Sequence, residues 1–195
     1  MPARRRKVAA SRSAPAAKPR ASARRARRPA TKPAFAEQSA GASAKELLLF
    51  ELQRGRVAVM GALKGIAPAS AMRPTAPGKW STHEIALHLA VRDRARLEEF
   101  DMLLAGHAPS WDVANYGSMD VANEAHLAPL RTLSWEEALR LMDSTRARLL
   151  AALIDVPAEP AERWTAAHHF GATMLELPRH DRHHAEQIKR ARISS

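Results

Sequence analysis

The residues of this 195-residue chain best suited to chemistry are its nine histidines, and there is no cysteine. A metal ion would need imidazole and carboxylate ligands, because neither thiolate coordination nor a disulfide framework is available. His180 and His184 lie four apart, so on a helix both rings project from one face, about one turn apart. Such a pair can supply two ligands to one ion, although the same spacing is also common on exposed helix surfaces. Zincin metalloproteases carry Glu directly after the first His of the pair. Asp181 stands there instead, which disfavours protease activity.

The surroundings of these histidines sharpen the reading. His180 and His184 fall between Leu177 and Ile188 on an apolar stripe, whereas His183 falls among charged residues. His88 is framed in the same way, with Ile85 three residues before it and Val91 three after. Imidazoles facing a bundle interior from two helices need partners, since an unsatisfied buried polar group costs about 1–3 kcal/mol or more. One shared divalent metal would satisfy all three rings; separate hydrogen bonds to carbonyls would do so as well. Asp93 and Asp181 are the carboxylates nearest in sequence, and surface salt bridging is the expected fate of both. Three neutral imidazoles would leave at least one coordination position open to water or substrate. An ion so held lowers the pKa of a bound water or an incoming thiol. Without cysteine in the chain, that thiol would be a cosubstrate. No catalytic acid or base is assigned.

Helices must position these rings, and their starts are marked. Ser43-Ala44-Lys45-Glu46, Ser81-Thr82-His83-Glu84 and Ser134-Trp135-Glu136-Glu137 share one pattern. In each, the hydroxyl can cap an orphan amide while the carboxylate reaches back, which marks a helix N-terminus. The first helix is expected from about Ser43 to Ile66, with Leu48, Leu52, Val59, Ala62 and Ile66 on one stripe. A second should run from about Ser81 to Ala105, with Gly106 as its C-terminal cap. A third runs from about Trp135 to Ile154 and turns Trp135, Ala138, Met142, Leu149 and Leu153 inward. The fourth, about Thr173 to Arg192, contains Pro178, which is expected to kink or restart it just before His180. Residues 107–131 make a long connection with a short helical turn near Val121, and its Trp111, Tyr116, Asp120 and Asn123 are expected to wall the pocket. No segment alternates like a strand. The fold class is therefore all-α, a four-helix bundle with one long crossover.

The charge is unevenly distributed. Residues 1–36 hold 12 of the 31 basic residues and none of the 20 acidic ones, leaving 19 against 20 in the remainder. The basic character belongs to an N-terminal tail, so net charge gives no reason to call the globular part nucleic-acid-binding. Residues 1–41, rich in Ala, Arg, Pro, Ser and Lys, are expected to be disordered, with the bundle occupying 42–195. Arg4-Arg5-Arg6-Lys7 and Arg24-Arg25-Ala26-Arg27-Arg28 could make weak, salt-sensitive, non-specific contacts with nucleic acid. A solubilising tail, a transit-peptide-like leader or an early start codon would explain the same composition. No apolar run is long enough to cross a membrane as a helix, and no secretory h-region follows the basic start, so a cytoplasmic protein is expected.

Two runs carry a resemblance to a known family. Pro77-Gly78-Lys79-Trp80-Ser81-Thr82-His83-Glu84-Ile85-Ala86-Leu87-His88-Leu89-Ala90 resembles the GxWS…xxHLA opening of helix two in the DinB-like superfamily. His180-Asp181-Arg182-His183-His184-Ala185-Glu186-Gln187-Ile188 is similar to its helix-four HxxxHxxQI segment. Residues Leu130 to Leu150 resemble its helix three, so the likeness covers about residues 45 to 192 and omits the tail. It implies an up-down-down-up bundle with His88, His180 and His184 as ligands of zinc, nickel or another divalent ion. Activities known in that family include thiol S-transferases, a thiol-dependent isomerase and a hydrolase.

Two classes of function stay open. One is a metal-dependent hydrolase or S-transferase acting on a small-molecule substrate, as a monomer or homodimer, with water or a low-molecular-weight thiol as nucleophile. The other is a non-catalytic metal-binding stress-response protein whose tail contacts nucleic acid.

Overall fold

The computed structural model describes residues 42–109 and 116–193. The expected tail, residues 1–41, and Trp111 lie outside them. Four long helices, Ala44–Leu63 (α1), Thr82–Glu98 (α2), Trp135–Asp155 (α3) and His169–Ile193 (α4), carry the fold. Shorter helical segments Pro68–Ala71, Phe100–Leu104 and Met119–Leu127 lie between them, and the described residues contain no strand, only a single bridge between Pro74 and Ser81. The protein is all-α.

The three Ser-x-x-Glu signatures each form a complete capping box, at the starts of α1, α2 and α3. The start of α4 has a different device. His168 Nδ1 accepts from the Phe170 amide at 3.1 Å, and its carbonyl accepts from the Ala172 amide at 2.8 Å.

Helix directions follow from contacts that advance in step. Glu51 reaches Arg182 and the Ala62 carbonyl reaches Arg192, so α1 and α4 run parallel. His83 meets the Leu133 carbonyl and Asp93 meets Arg146, so α2 and α3 also run parallel. Lys45 reaches the Ile154 carbonyl while Arg56 reaches that of Met142, which sets α1 antiparallel to α3. The order is up, down, down, up.

Several boundaries differ from expectation for local reasons. The second helix breaks at Glu99, leaving Phe100–Leu104 as a separate segment that ends at Gly106 in the left-handed region (φ 87°). The connection near Val121 holds a full helix, Met119–Leu127, capped by the Ser118 hydroxyl. Ile66 and Ala191, at the ends of their stripes, are half-buried.

Pro178 neither breaks nor restarts α4, which is continuous from His169 to Ile193. Its ring is buried where α4 crosses α1, and the facing residue is Gly55. A Cβ on Gly55 would lie 3.0 Å from Pro178 Cα and 3.2 Å from Asp181 Cβ. The absent side chain lets the two backbones approach, and that packing holds the helix through the proline despite the lost hydrogen bond. Gly55→Ala is expected to cost about 1–3 kcal/mol through overpacking at this crossing. Urea unfolding of the variant checks it; an unchanged midpoint would show that the helices separate freely there.

The core forms two apolar clusters. One gathers Val59, Ala62, Ile85, Leu89, Trp135, Met142 and Ile188; the other gathers Leu48, Leu52, Leu149, Leu153, Phe170, Met174 and Leu177. Between them lies a charged layer to which each long helix contributes one residue: Arg56, Asp93, Arg146 and Asp181, none more than 6% exposed. Arg146 grips Asp93 with Nε at 2.9 Å and Nη2 at 2.8 Å, and Arg56 Nη2 meets the same carboxylate at 2.9 Å. Arg146 Nη1 reaches Asp181 at 3.1 Å and Arg56 Nε reaches it at 3.3 Å. Arg56 Nη1 also donates to the Met142 carbonyl and Arg146 Nη1 to that of Leu52. This corrects the expectation of surface salt bridges for Asp93 and Asp181. Both carboxylates are interior, and their partners are the arginines rather than the histidines.

Candidate metal centre

The capping box at Ser81 fixes where α2 begins, and two turns on it delivers His88 to the interior. On α4 the four-residue spacing stacks His180 and His184 on the facing surface. The three rings meet. His88 Nε2 lies 3.0 Å from His180 Nε2, which lies 3.2 Å from His184 Nε2. One nitrogen from each histidine falls within 4.8 Å of the others, and among the described residues this is the group of His and carboxylate side chains close enough to share an ion. His183 is exposed and lies outside that group, its ring meeting that of His184 edge-on with centroids 5.3 Å apart.

Protonation favours coordination. Burial is the largest cause holding His88 down to about 3, His180 to about 2 and His184 to about 4, with neighbouring imidazoles and the Arg92 guanidinium adding to it. At neutral pH the rings are therefore uncharged and carry the lone pairs that a metal requires. His184 Nδ1 lies 2.9 Å from Gln187 Oε1. An amide oxygen only accepts, so Nδ1 carries the hydrogen and Nε2 presents its lone pair to the cluster. Trp80, immediately before the cap, closes one side, its ring 4.7 Å from that of His88 and stacked on His184 at 6.4 Å.

The donor set fits a divalent ion. Imidazole nitrogens about 2.0–2.1 Å from a tetrahedral centre are about 3.3–3.4 Å apart. The observed 3.0 and 3.2 Å separations are close to that spacing. The unpartnered buried Nδ1 atoms of His88 and His180 show that hydrogen bonding within the protein does not satisfy these rings.

Of the residues expected to wall the pocket, Tyr116 and Asp120 are exposed, with Tyr116 against His126, and Asn123 is half-buried. Three residues near the cluster were not singled out from sequence as site residues: Trp80, Gln187 and Arg92. Their signals were present, since Gln187 follows His184 by three and Arg92 follows His88 by four, each on the ligand's own helix face. His183→Ala is expected to keep the full metal content of the wild type, because that ring faces solvent. Elemental analysis of the purified variant decides it; loss of metal would mean that His183, and not its neighbour, is the ligand.

In this all-α bundle three uncharged imidazoles converge from two helices into a group that could hold a metal ion. The chain belongs to the DinB superfamily, whose family model matches residues 51–188, more than two thirds of its length. No curated protein and no solved structure matches it. No helix among the described residues is long and apolar enough to cross a membrane.

Proposed function

We propose that this protein is a metal-dependent enzyme in which His88, His180 and His184 hold one divalent ion, zinc or nickel, and leave a coordination position for the reacting group. The observation that carries the reading is the convergence of three neutral Nε2 atoms with no fourth protein ligand among the described residues. Closed structural sites supply four ligands, whereas catalytic sites supply three. When bound, the ion supplies a water or thiol with a pKa lowered toward neutrality. Gln187 holds the His184 tautomer, and Trp80 limits access of solvent from its side. Asp181, directed into the buried ionic layer, does not serve as the general base of a zincin.

The reaction is hydrolysis or thiol S-transfer on a small-molecule electrophile. A cytoplasmic site of action belongs to the same proposal, since low-molecular-weight thiols are kept reduced there. The test is metal analysis of the purified full chain, then a screen of electrophiles with and without added low-molecular-weight thiol. Turnover that needs the thiol selects the transferase, and turnover in water alone selects the hydrolase. Absence of both, together with salt-sensitive DNA binding by the full chain, would overturn the enzyme reading in favour of a non-catalytic protein that contacts nucleic acid through its basic tail.

A further inference from the structure

Helix α1 turns a second apolar face outward. Its inward stripe of Leu48, Leu52, Val59 and Ala62 is taken up by the core, yet Leu47, Phe50, Val57 and Met60 are 44, 38, 70 and 40% exposed. They are four of the eleven large apolar side chains exposed among the described residues, so this one helix carries more than a third of them. Apolar exposure gathered on one face marks an interaction surface, whereas scattered exposure does not.

Glu46, Phe50, Gln53, Val57, Met60 and Lys64 are all exposed and follow one another at alternating steps of four and three. That 3.5-residue period keeps the six on one seam, the pattern by which two helices pack along their length. The seam is complementary to itself when reversed. Laid antiparallel against a second copy, about a two-fold axis level with position 55, Phe50 meets Met60, Gln53 meets Val57 and Glu46 meets Lys64. Such a contact is isologous, with the same patch on both copies. Apolar layers fall inside, and a pair of opposite charges closes each end. Parallel pairing would set Glu46 against Glu46 and Lys64 against Lys64, so charge selects the antiparallel arrangement.

Neither end charge is ion-paired among the described residues. Glu46 Oε2 accepts from the Ser43 amide and hydroxyl at 2.7 and 2.9 Å, and Lys64 engages Arg192 through its carbonyl alone. Arg54 flanks the axis in both copies. It is held by Glu51 of its own helix at 3.3 Å, and that carboxylate also takes Arg182 from α4 at 2.6 Å, which moderates the like charge there.

We propose that the outer face of α1 joins two copies of this chain in an antiparallel homodimer. The three histidines lie on α2 and α4, so the contact leaves each cluster as it stands in one chain.

Sedimentation velocity of the full chain over roughly 1–100 µM, the range suited to a single helix pair, should show monomer giving way to dimer. V57E, at the most exposed position of the seam, should hold the protein monomeric throughout with unchanged helicity. K64E sets a like charge against Glu46 and should weaken association several-fold, an effect that salt reduces. The absence of cysteine lets the register be read directly. E46C and K64C, mixed and oxidised, should give a disulfide-linked pair. Either variant alone should not, because like positions in the antiparallel arrangement stand about 27 Å apart along the helix. A chain that stays monomeric across the range overturns the proposal and assigns the face to another occupant, the chain's own N-terminal segment or a different protein. A dimer that a folded V57E leaves intact overturns it too, as does cross-linking of E46C alone at the level of the mixture. Should V57E fail to fold, the cross-linking pattern decides by itself.

Discussion

Replacing His88, His180 or His184 by alanine is expected to strip the chain of its divalent metal while leaving the bundle folded. Two imidazoles hold an ion far less firmly than three and cannot fix its geometry. The helices remain because the apolar clusters on either side of the charged layer supply most of their stability. An ion present at 100 to 1,000 times its dissociation constant stabilises the folded state by about 3–4 kcal/mol. For a chain of this size that is about 5–15 °C in melting temperature. Chelation should therefore lower the melting temperature of the wild type by that amount and leave the three variants almost unmoved. Elemental analysis after exhaustive dialysis provides the second reading. Equal metal in all four proteins would sink the site and leave only the fold.

The other large effect is expected in the ionic layer. Asp93→Ala removes the carboxylate that engages both Arg56 and Arg146, leaving two buried guanidiniums against Asp181 alone. Breaking a buried pair from one side typically costs about 3–5 kcal/mol, because the partner charge remains desolvated. At about 2–4 °C per kcal/mol the variant should melt roughly 6–20 °C lower. Substituting all four residues together with apolar side chains of similar volume should recover most of that loss, since no stranded charge remains. Chemical denaturation of both variants separates the two contributions. A single variant within about 1 kcal/mol of wild type would show that water reaches the layer and screens it.

What the sequence could disclose depended on how local each signal was. Capping boxes are confined to four consecutive residues, so all three helix starts could be placed to within a residue. The histidines could be grouped because each one sits on an apolar stripe of its own helix. The ionic layer was hidden for the opposite reason: Arg56, Asp93, Arg146 and Asp181 each look like a surface charge within their own helix. Their burial depends on where four separate helices meet. Pro178 was misleading in the same way, since its tolerance depends on Gly55, which is remote in sequence. α4 starts four residues before the expected Thr173 because its cap is a histidine, His168, and not a hydroxyl or carboxylate.

The place of Trp80 has an optical consequence. Its indole lies in ring contact with His88 and stacks on His184, while Trp135 and Trp164 are buried in the two apolar clusters. Among the three tryptophans of the described residues, emission from Trp80 is thus the component that responds when charge density on those imidazoles changes. A Trp80→Phe variant subtracted from wild type isolates that component. The chain then carries its own fluorophore beside the histidine cluster, and titrations of metal or acid can be followed without an added dye.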